Sequence, residues 1–197
     1  MNYIPSPVFI DSFLPPFVYF MQETDRIKLI PLTLEMILSI MNGPEDFYSK
    51  FGIILPTPYT EFPGSLENSI ESLNATHSVS PFQSYAIITK EQATYIGQTG
   101  FFGPPDATGT VELGYEIALE FRGKGFANEV LELLIKTAFE VAEVKSIIAH
   151  TLSTRNASNH LLIKNNFIFA ETIVSEQDGT IWKWVLTRNM YLFKQMF

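Results

Sequence analysis

The residues best suited to chemistry form the hexapeptide Arg122-Gly123-Lys124-Gly125-Phe126-Ala127, followed by Asn128. It falls between a stretch that reads as a strand and one that reads as a helix. At such a junction successive backbone N–H groups point outward, and glycine lets an anion approach without a Cβ in the way. The start of the helix adds roughly half a positive charge. Arg122 and Lys124 add whole charges, so the segment suits a phosphate or diphosphate. It is not a Walker loop, because the G-x-x-x-x-G-K-[ST] spacing is absent. It is not the dinucleotide fingerprint either, since position 128 is Asn rather than Gly or Ala. From the hexapeptide alone, a glycine-softened turn with two solvated bases is an equal alternative.

The elements that must position this loop are legible on either side. Val111, Leu113, Tyr115 and Ile117 alternate with Glu112, Gly114, Glu116 and Ala118, which predicts a strand over 111–118 with two dissimilar faces. From about Gly125 to Ala142, Val130, Leu134 and Ala138 fall at four-residue spacing with Leu131 and Ile135 beside them. That is the stripe of a core-facing helix. Residues 146–152 read as a buried strand and 157–164 as a helix. Stretches 167–174 and 180–188 read as a hairpin closing around Gln177-Asp178-Gly179.

Upstream, 26–32 reads as a first strand, and Thr33 can cap a short helix running to Met41. Asn42-Gly43-Pro44 stops that helix, and a second follows over 45–51. Four prolines lie in 55–82, with a weak helix over 66–73. An antiparallel hairpin then spans 84–102. The predicted fold is α/β (α+β): a mixed, mostly antiparallel sheet of 6–7 strands with one parallel crossover, flanked by about four helices. The chain divides into an N-terminal extension, 1–25, and a single domain, 26–190. The aromatics among the prolines of the extension, including Tyr3, Phe9, Phe13, Phe17 and Tyr19, favour a segment packed on the domain or on a second subunit, as in a homodimer.

Composition narrows the functions. The 197 residues are 46% hydrophobic, enough for a full core. Thirteen Lys and Arg against 21 Asp and Glu give a net charge of −8, which argues against nucleic acid as a partner. No cysteine is present, so there is no thiolate nucleophile and no thiolate metal site. The three histidines lack metal-ligand spacing, so no metal is expected. The longest apolar run of the N-terminus, 17–21, is far short of the ~20 residues that cross a bilayer, and no membrane partner is expected.

Arg-x-x-Gly-x-Ala after a strand ending Tyr-Glu-Ile-Ala resembles the acyl-CoA diphosphate loop of the GNAT superfamily of N-acetyltransferases. The stretch VELGYEIALEFRGKGFANEVLELLIKTAF is similar throughout to the branch containing the ribosomal-protein N-terminal alanine and serine acetyltransferases. AHTLSTRNASNHLLIKNNF, DGTIWKWVLTR, RIKLIPLTLE and YIGQTGFFGPP resemble that branch's other motifs in order, covering about 26–188.

The resemblance implies a cytoplasmic, acetyl-CoA-dependent enzyme that acetylates a primary amine, either a small molecule or a peptide N-terminus. It implies that the strands at 111–118 and 146–152 splay apart to admit pantetheine. The amide near Ile117 would hold pantetheine, and those of Gly123, Lys124, Gly125, Phe126, Ala127 and Asn128, with Arg122, the diphosphate. Asn156 is a further candidate for the cofactor, although Arg155 occupies the position where the family's asparagine belongs. Glu112 is the candidate general base, with Glu116 on the same strand face as second choice. A solvated strand carboxylate is the competing reading of Glu112. Tyr115 reads as core, His150 as a hydrogen-bonded structural residue, and Trp182 and Trp184 as core.

Two departures from the family pattern stand out. Leu162 replaces a tyrosine that protonates the leaving thiolate in many relatives, and Asn166 replaces a helix-stopping glycine. An acyl-CoA-binding module without catalysis is the alternative function that these departures support, and an oligomeric scaffold using the extension is a third. Acidic residues in 44–82 (Glu45, Asp46, Glu61, Glu67, Glu71) suit a cationic acceptor if that segment borders the acceptor site.

Overall fold

The computed structural model describes residues 21–62, 64–75, 80–175, 179–194 and 196; the N-terminal extension through residue 20 and the turn residues Gln177 and Asp178 lie outside them. The chain runs β1 (Gln22–Glu23), β2 (Ile27–Pro31), α1 (Leu34–Asn42), α2 (Pro44–Phe51), α3 (Ser65–Ala75), β3 (Ser84–Thr89), β4 (Tyr95–Phe101) and β5 (Thr110–Ile117). It continues through α4 (Phe126–Glu140), β6 (Ser146–Leu152), α5 (Ala157–Lys164), β7 (Ile168–Ser175), β8 (Gly179–Thr187) and α6 (Arg188–Lys194). One sheet contains every strand among the described residues, in the order β1-β2-β3-β4-β5-β6-β8-β7.

Local chemistry explains most element ends. Thr33 Oγ1 accepts from the Met36 amide at 3.1 Å and caps α1. Gly43, at φ +110°, turns the chain directly into α2, whose first residue is Pro44. Asn166 adopts φ +65° after α5, the left-handed stop expected of an asparagine standing in for glycine.

Alternation along the strands feeds two cores. Ile87 faces a cluster with Leu113, Leu134 and Leu162 beneath α4 and α5. Ala86 and Ile88 face a second cluster with Ile37, Ile40 and Phe47 beneath α1 and α2. The α4 stripe of Val130, Leu131, Leu134, Ile135 and Ala138 is buried as its spacing predicts.

Among the described residues there are eight strands where six or seven were expected, and six α-helices rather than about four. The added strand, β1, is two residues long and pairs with β2, too short to leave a periodic signal. The added helix, α6, begins at Arg188, which reads locally as the end of a strand. The Arg188 guanidinium donates to the carbonyls of Phe139, Val141 and Val144, latching α6 to the end of α4. No helix among the described residues is long and apolar enough to cross a membrane.

Two sheet features position the site. Gly97 of β4 lies so close to β5 that a Cβ there would sit 2.0 Å from the Glu116 carbonyl oxygen. The one parallel pairing between the described strands, β5 with β6, holds only over Thr110↔Ser146, Val111↔Ile147 and Glu112↔Ile148. Beyond that β5 continues to Ile117 beside β4, while β6 continues to Leu152 paired with β8. A wedge therefore opens between them.

Candidate active site

At the wide end of the wedge, a short 3-10 turn over Leu119–Phe121 leads into the loop that starts α4. Gly123 and Gly125 take φ of +73° and +86°, the left-handed region that glycine enters without strain. The amides of Gly123, Lys124, Gly125, Phe126 and Ala127 have no acceptor among the described residues. Residues 122–125 are exposed, and nothing lies within 4 Å of the place a Gly123 Cβ would take. Five open donors at a helix start fit an anionic diphosphate.

Not every predicted loop residue is free to take part. The Asn128 amide donates to the Gly125 carbonyl at 3.0 Å, and the Asn128 side chain bridges Glu132 and Asn165. Arg122 turns back on the fold. Its Nε donates to the Ile117 carbonyl at 2.7 Å and its Nη1 lies 2.5 Å from Glu61 Oε2. Lys124 extends its ammonium over the Phe121 ring, 5.0 Å from the centroid.

Arg26, which no local motif marks, frames the loop from β2's end. Its Nη1 donates to the Lys124 carbonyl at 3.0 Å, its guanidinium lies 4.5 Å over the Phe126 ring, and it pairs with Glu129. A separation of 98 residues hides this contact from sequence reasoning.

The backbone of Ile117 borders the wedge. The Ala118 amide bonds the Ile96 carbonyl, and the Phe102 amide bonds that of Glu112. Even-numbered residues of β5 thus serve the β4 ladder. By antiparallel alternation, Leu113, Tyr115 and Ile117 turn their backbone groups the other way, toward the space that β6 vacates.

Asn156 is the N-cap of α5. Its Oδ1 accepts from the Asn159 amide at 3.0 Å and its own amide donates to Asn159 Oδ1 at 2.9 Å, so only its Nδ2 lacks a partner among the described residues. Leu162 is fully buried in the core. Tyr115 packs against the same cluster. Its hydroxyl is buried near Ser158 without a hydrogen-bond partner among the described residues, and that burial pushes the phenol up to about 12. Trp184 is core as expected, its Nε1 donating to Thr151 Oγ1 at 2.9 Å.

The opposite face of β5 opens into a cleft of about 780 Å³ whose walls include Phe62, Ser69, Gln98, Phe102, Glu112 and His150. Glu112 and Glu116 both reach it, but their situations differ. The Glu116 carboxylate, 8% exposed, accepts from Thr60 Oγ1 at 2.8 and 2.9 Å and from the Glu61 amide at 2.7 Å. It serves to hold the 60–62 loop against β5. Glu112 keeps one oxygen clear of such ties: its Oε1 meets His150 Nδ1 at 2.8 Å. Segment 44–82 borders the cleft through Phe62, Ser65 and Ser69. Among the described residues Glu61 is spent on Arg122, Asp46 on Ser39 and Lys50, and the cleft's carboxylates come from β5.

Comparison with known proteins agrees with this geometry. An acetyltransferase (GNAT) domain model matches residues 26–168. The uncharacterized N-acetyltransferase YjdG of Bacillus subtilis (strain 168) is 26% identical over 148 residues, covering 74% of this chain and 88% of the relative. The uncharacterized N-acetyltransferase p20 of Bacillus licheniformis is 28% identical over 147 residues, covering 73% and 80%. Among solved structures, the spermidine N-acetyltransferase of Vibrio cholerae in complex with CoA and spermine superposes at a TM-score of 0.62 and 17% identity, over 86% of this chain and 99% of that one. The ribosomal-protein-S5-alanine acetyltransferase of Vibrio fischeri gives 0.61 at 11% identity, over 86% and 97%.

Proposed function

This chain belongs to the acetyltransferase (GNAT) family, and we propose that it acetylates a primary amine bound in the cleft beside Glu112 by direct attack with general-base assistance. It is an acetyl-CoA-dependent N-acetyltransferase, and bound acetyl-CoA supplies an activated acetyl thioester. The observation that carries the proposal is the row of five unpartnered amides, Gly123 to Ala127, at the mouth of the β5–β6 wedge. Those amides would hold the diphosphate, and the inward-facing backbone at Ile117 would hold the pantetheine arm. Arg122 would contribute by fixing the end of β5, and Asn156 through its free Nδ2.

An amine must be neutral to attack, and α-amines titrate near ~8 against ~10.4 for lysine side chains. A base in the cleft therefore raises the reactive fraction and takes the proton that attack releases. Carboxylates from β5 also suit a cationic acceptor. Spermidine and ribosomal-protein acetyltransferases share the fold, so polyamines and peptide N-termini are the first two acceptor classes to try. A cytoplasmic setting, where acetyl-CoA and such amines meet, follows from the same reading.

The direct test is thiol release from acetyl-CoA over a panel of polyamines, small amines and peptide N-termini. Turnover with at least one acceptor is expected. Acetyl-CoA binding with no thiol release from any acceptor would instead favour a binding module. A second expectation concerns the frame of the loop. Arg26→Ala removes the clamp on the Lys124 carbonyl and the cover on Phe126. For so exposed a side chain the loss is about 1 kcal/mol, or roughly fivefold weaker acetyl-CoA binding by calorimetry.

A further inference from the structure

The Glu112–His150 contact crosses from β5 to β6 at the point where their pairing ends. Glu112↔Ile148 is the last registered pair, and His150 lies two residues beyond Ile148 on the same face of the separating strand. Both side chains line the cleft and stay partly open, 24% exposed for His150 and 34% for Glu112. An ionised carboxylate can only accept, so the hydrogen between Nδ1 and Oε1 resides on Nδ1. A neutral ring in that tautomer carries its lone pair on Nε2, which has no partner among the described residues.

We propose that His150 is the residue that takes the proton from the acceptor amine, through Nε2, and that Glu112 is the positioning residue that fixes its tautomer and orientation. The inference rests on the transferase reading above and deepens it. Imidazoles as a class are stronger bases than carboxylates and lie closer to a neutral working pH, where general-base catalysis is most effective. Glu112 further stabilises the imidazolium that forms, the division of labour seen in carboxylate–histidine pairs of other enzymes.

The step balances. The amine nitrogen bonds the acetyl carbonyl carbon as the C–S bond breaks, and sulfur leaves with the bonding electrons. The surplus proton on nitrogen passes to Nε2, and the imidazolium returns it to the thiolate or to solvent.

Other charges around the ring are accounted for. Lys183 of β8 stands in register with His150, and its ammonium is bonded to Glu171 of β7 at 3.0 Å. Glu116 lies further along β5, bound to Thr60 and the Glu61 amide. The cleft walls from α3 and β4 bring Ser65, Ser69, Gln98 and Thr99, all uncharged.

Two measurements on the full chain test the pair. Ring ¹⁵N–¹H spectra without acetyl-CoA should show His150, identified by its loss in His150→Gln, with hydrogen on Nδ1 and a bare Nε2, and this preference should weaken in Glu112→Gln. An Nε2–H tautomer in the wild type overturns the proposal. The second measurement is the pH profile of kcat/KM with the best amine of the panel. Wild type should lose activity on the acid side as the ring protonates. His150→Gln, and His150→Asn as a second variant, should be at least ~100-fold slower, lack that acid limb, and bind acetyl-CoA as wild type does. Glu112→Gln should be slower but keep the limb, moved to lower pH because the imidazolium has lost its anionic partner. A limb that persists in the His150 variants and vanishes in Glu112→Gln makes the carboxylate the base and sinks the proposal alone. A wild type that releases no thiol with any amine takes the transferase reading down as well.

Discussion

Gly125→Glu is expected to weaken acetyl-CoA binding by at least ~100-fold in calorimetry, equivalent to roughly 3 kcal/mol. Gly125 is the N-cap of α4, left-handed and exposed, in the centre of the five open amides. A carboxylate introduced there meets those donors itself and repels the diphosphate they are proposed to bind. Its Cβ would also come within 3.3 Å of Arg26 Nη2, drawing the new charge toward the arginine that frames the loop. Gly125→Ala separates charge from backbone strain. It introduces only the left-handed penalty of about 1 kcal/mol and should weaken binding several-fold. Unchanged affinity in Gly125→Glu would remove the loop from the cofactor site.

Gly97→Ala should be strongly destabilising for so small a substitution in the sheet. A methyl at Gly97 would meet the Glu116 carbonyl oxygen at 2.0 Å and its carbon at 2.9 Å, both backbone atoms of a central strand. Relief requires β4 and β5 to separate, which breaks ladder bonds and shifts the buried Glu116 that holds the 60–62 loop. The expected loss is about 3 kcal/mol or more, read as a fall in the denaturant midpoint at unchanged slope. Gly123→Ala provides the contrast. It has positive φ as well, but nothing lies within 4 Å, so about 1 kcal/mol of backbone strain is all it should show. Equal losses at the two positions would mean that the close approach of the strands contributes nothing.

What could be read from the chain was local. The alternation of 111–118, the glycines of the hexapeptide and the α4 stripe each lie within one or two elements. Their outcome depends on rules that act over a few residues. The contacts that refine the site join distant segments: Arg26 to Lys124, Thr60 to Glu116, Glu112 to His150. None has a periodic or compositional signature, because docking of whole elements creates them. Glu116 shows the consequence most plainly. Its strand position matches that of Glu112, yet a loop 56 residues away occupies one carboxylate and leaves the other beside a histidine. His150 was visible as a hydrogen-bonded residue, but its partner, which decides what it can do, was not. Arg122 shows the reverse: a cation well placed for a ligand by sequence is held by the Ile117 carbonyl and Glu61.

The parallel junction of β5 and β6 is three residue pairs long, so the sheet behaves as two leaves on a short spine. The gap between them opens from the Glu112–His150 contact, where the pairing ends, toward the amide-rich loop at the start of α4. Under the proposed function, with the acceptor cleft on the face of β5 opposite α4, donor and acceptor would approach separately. Neither would have to depart before its counterpart entered, and the acetyl group would cross the sheet without resting on the protein.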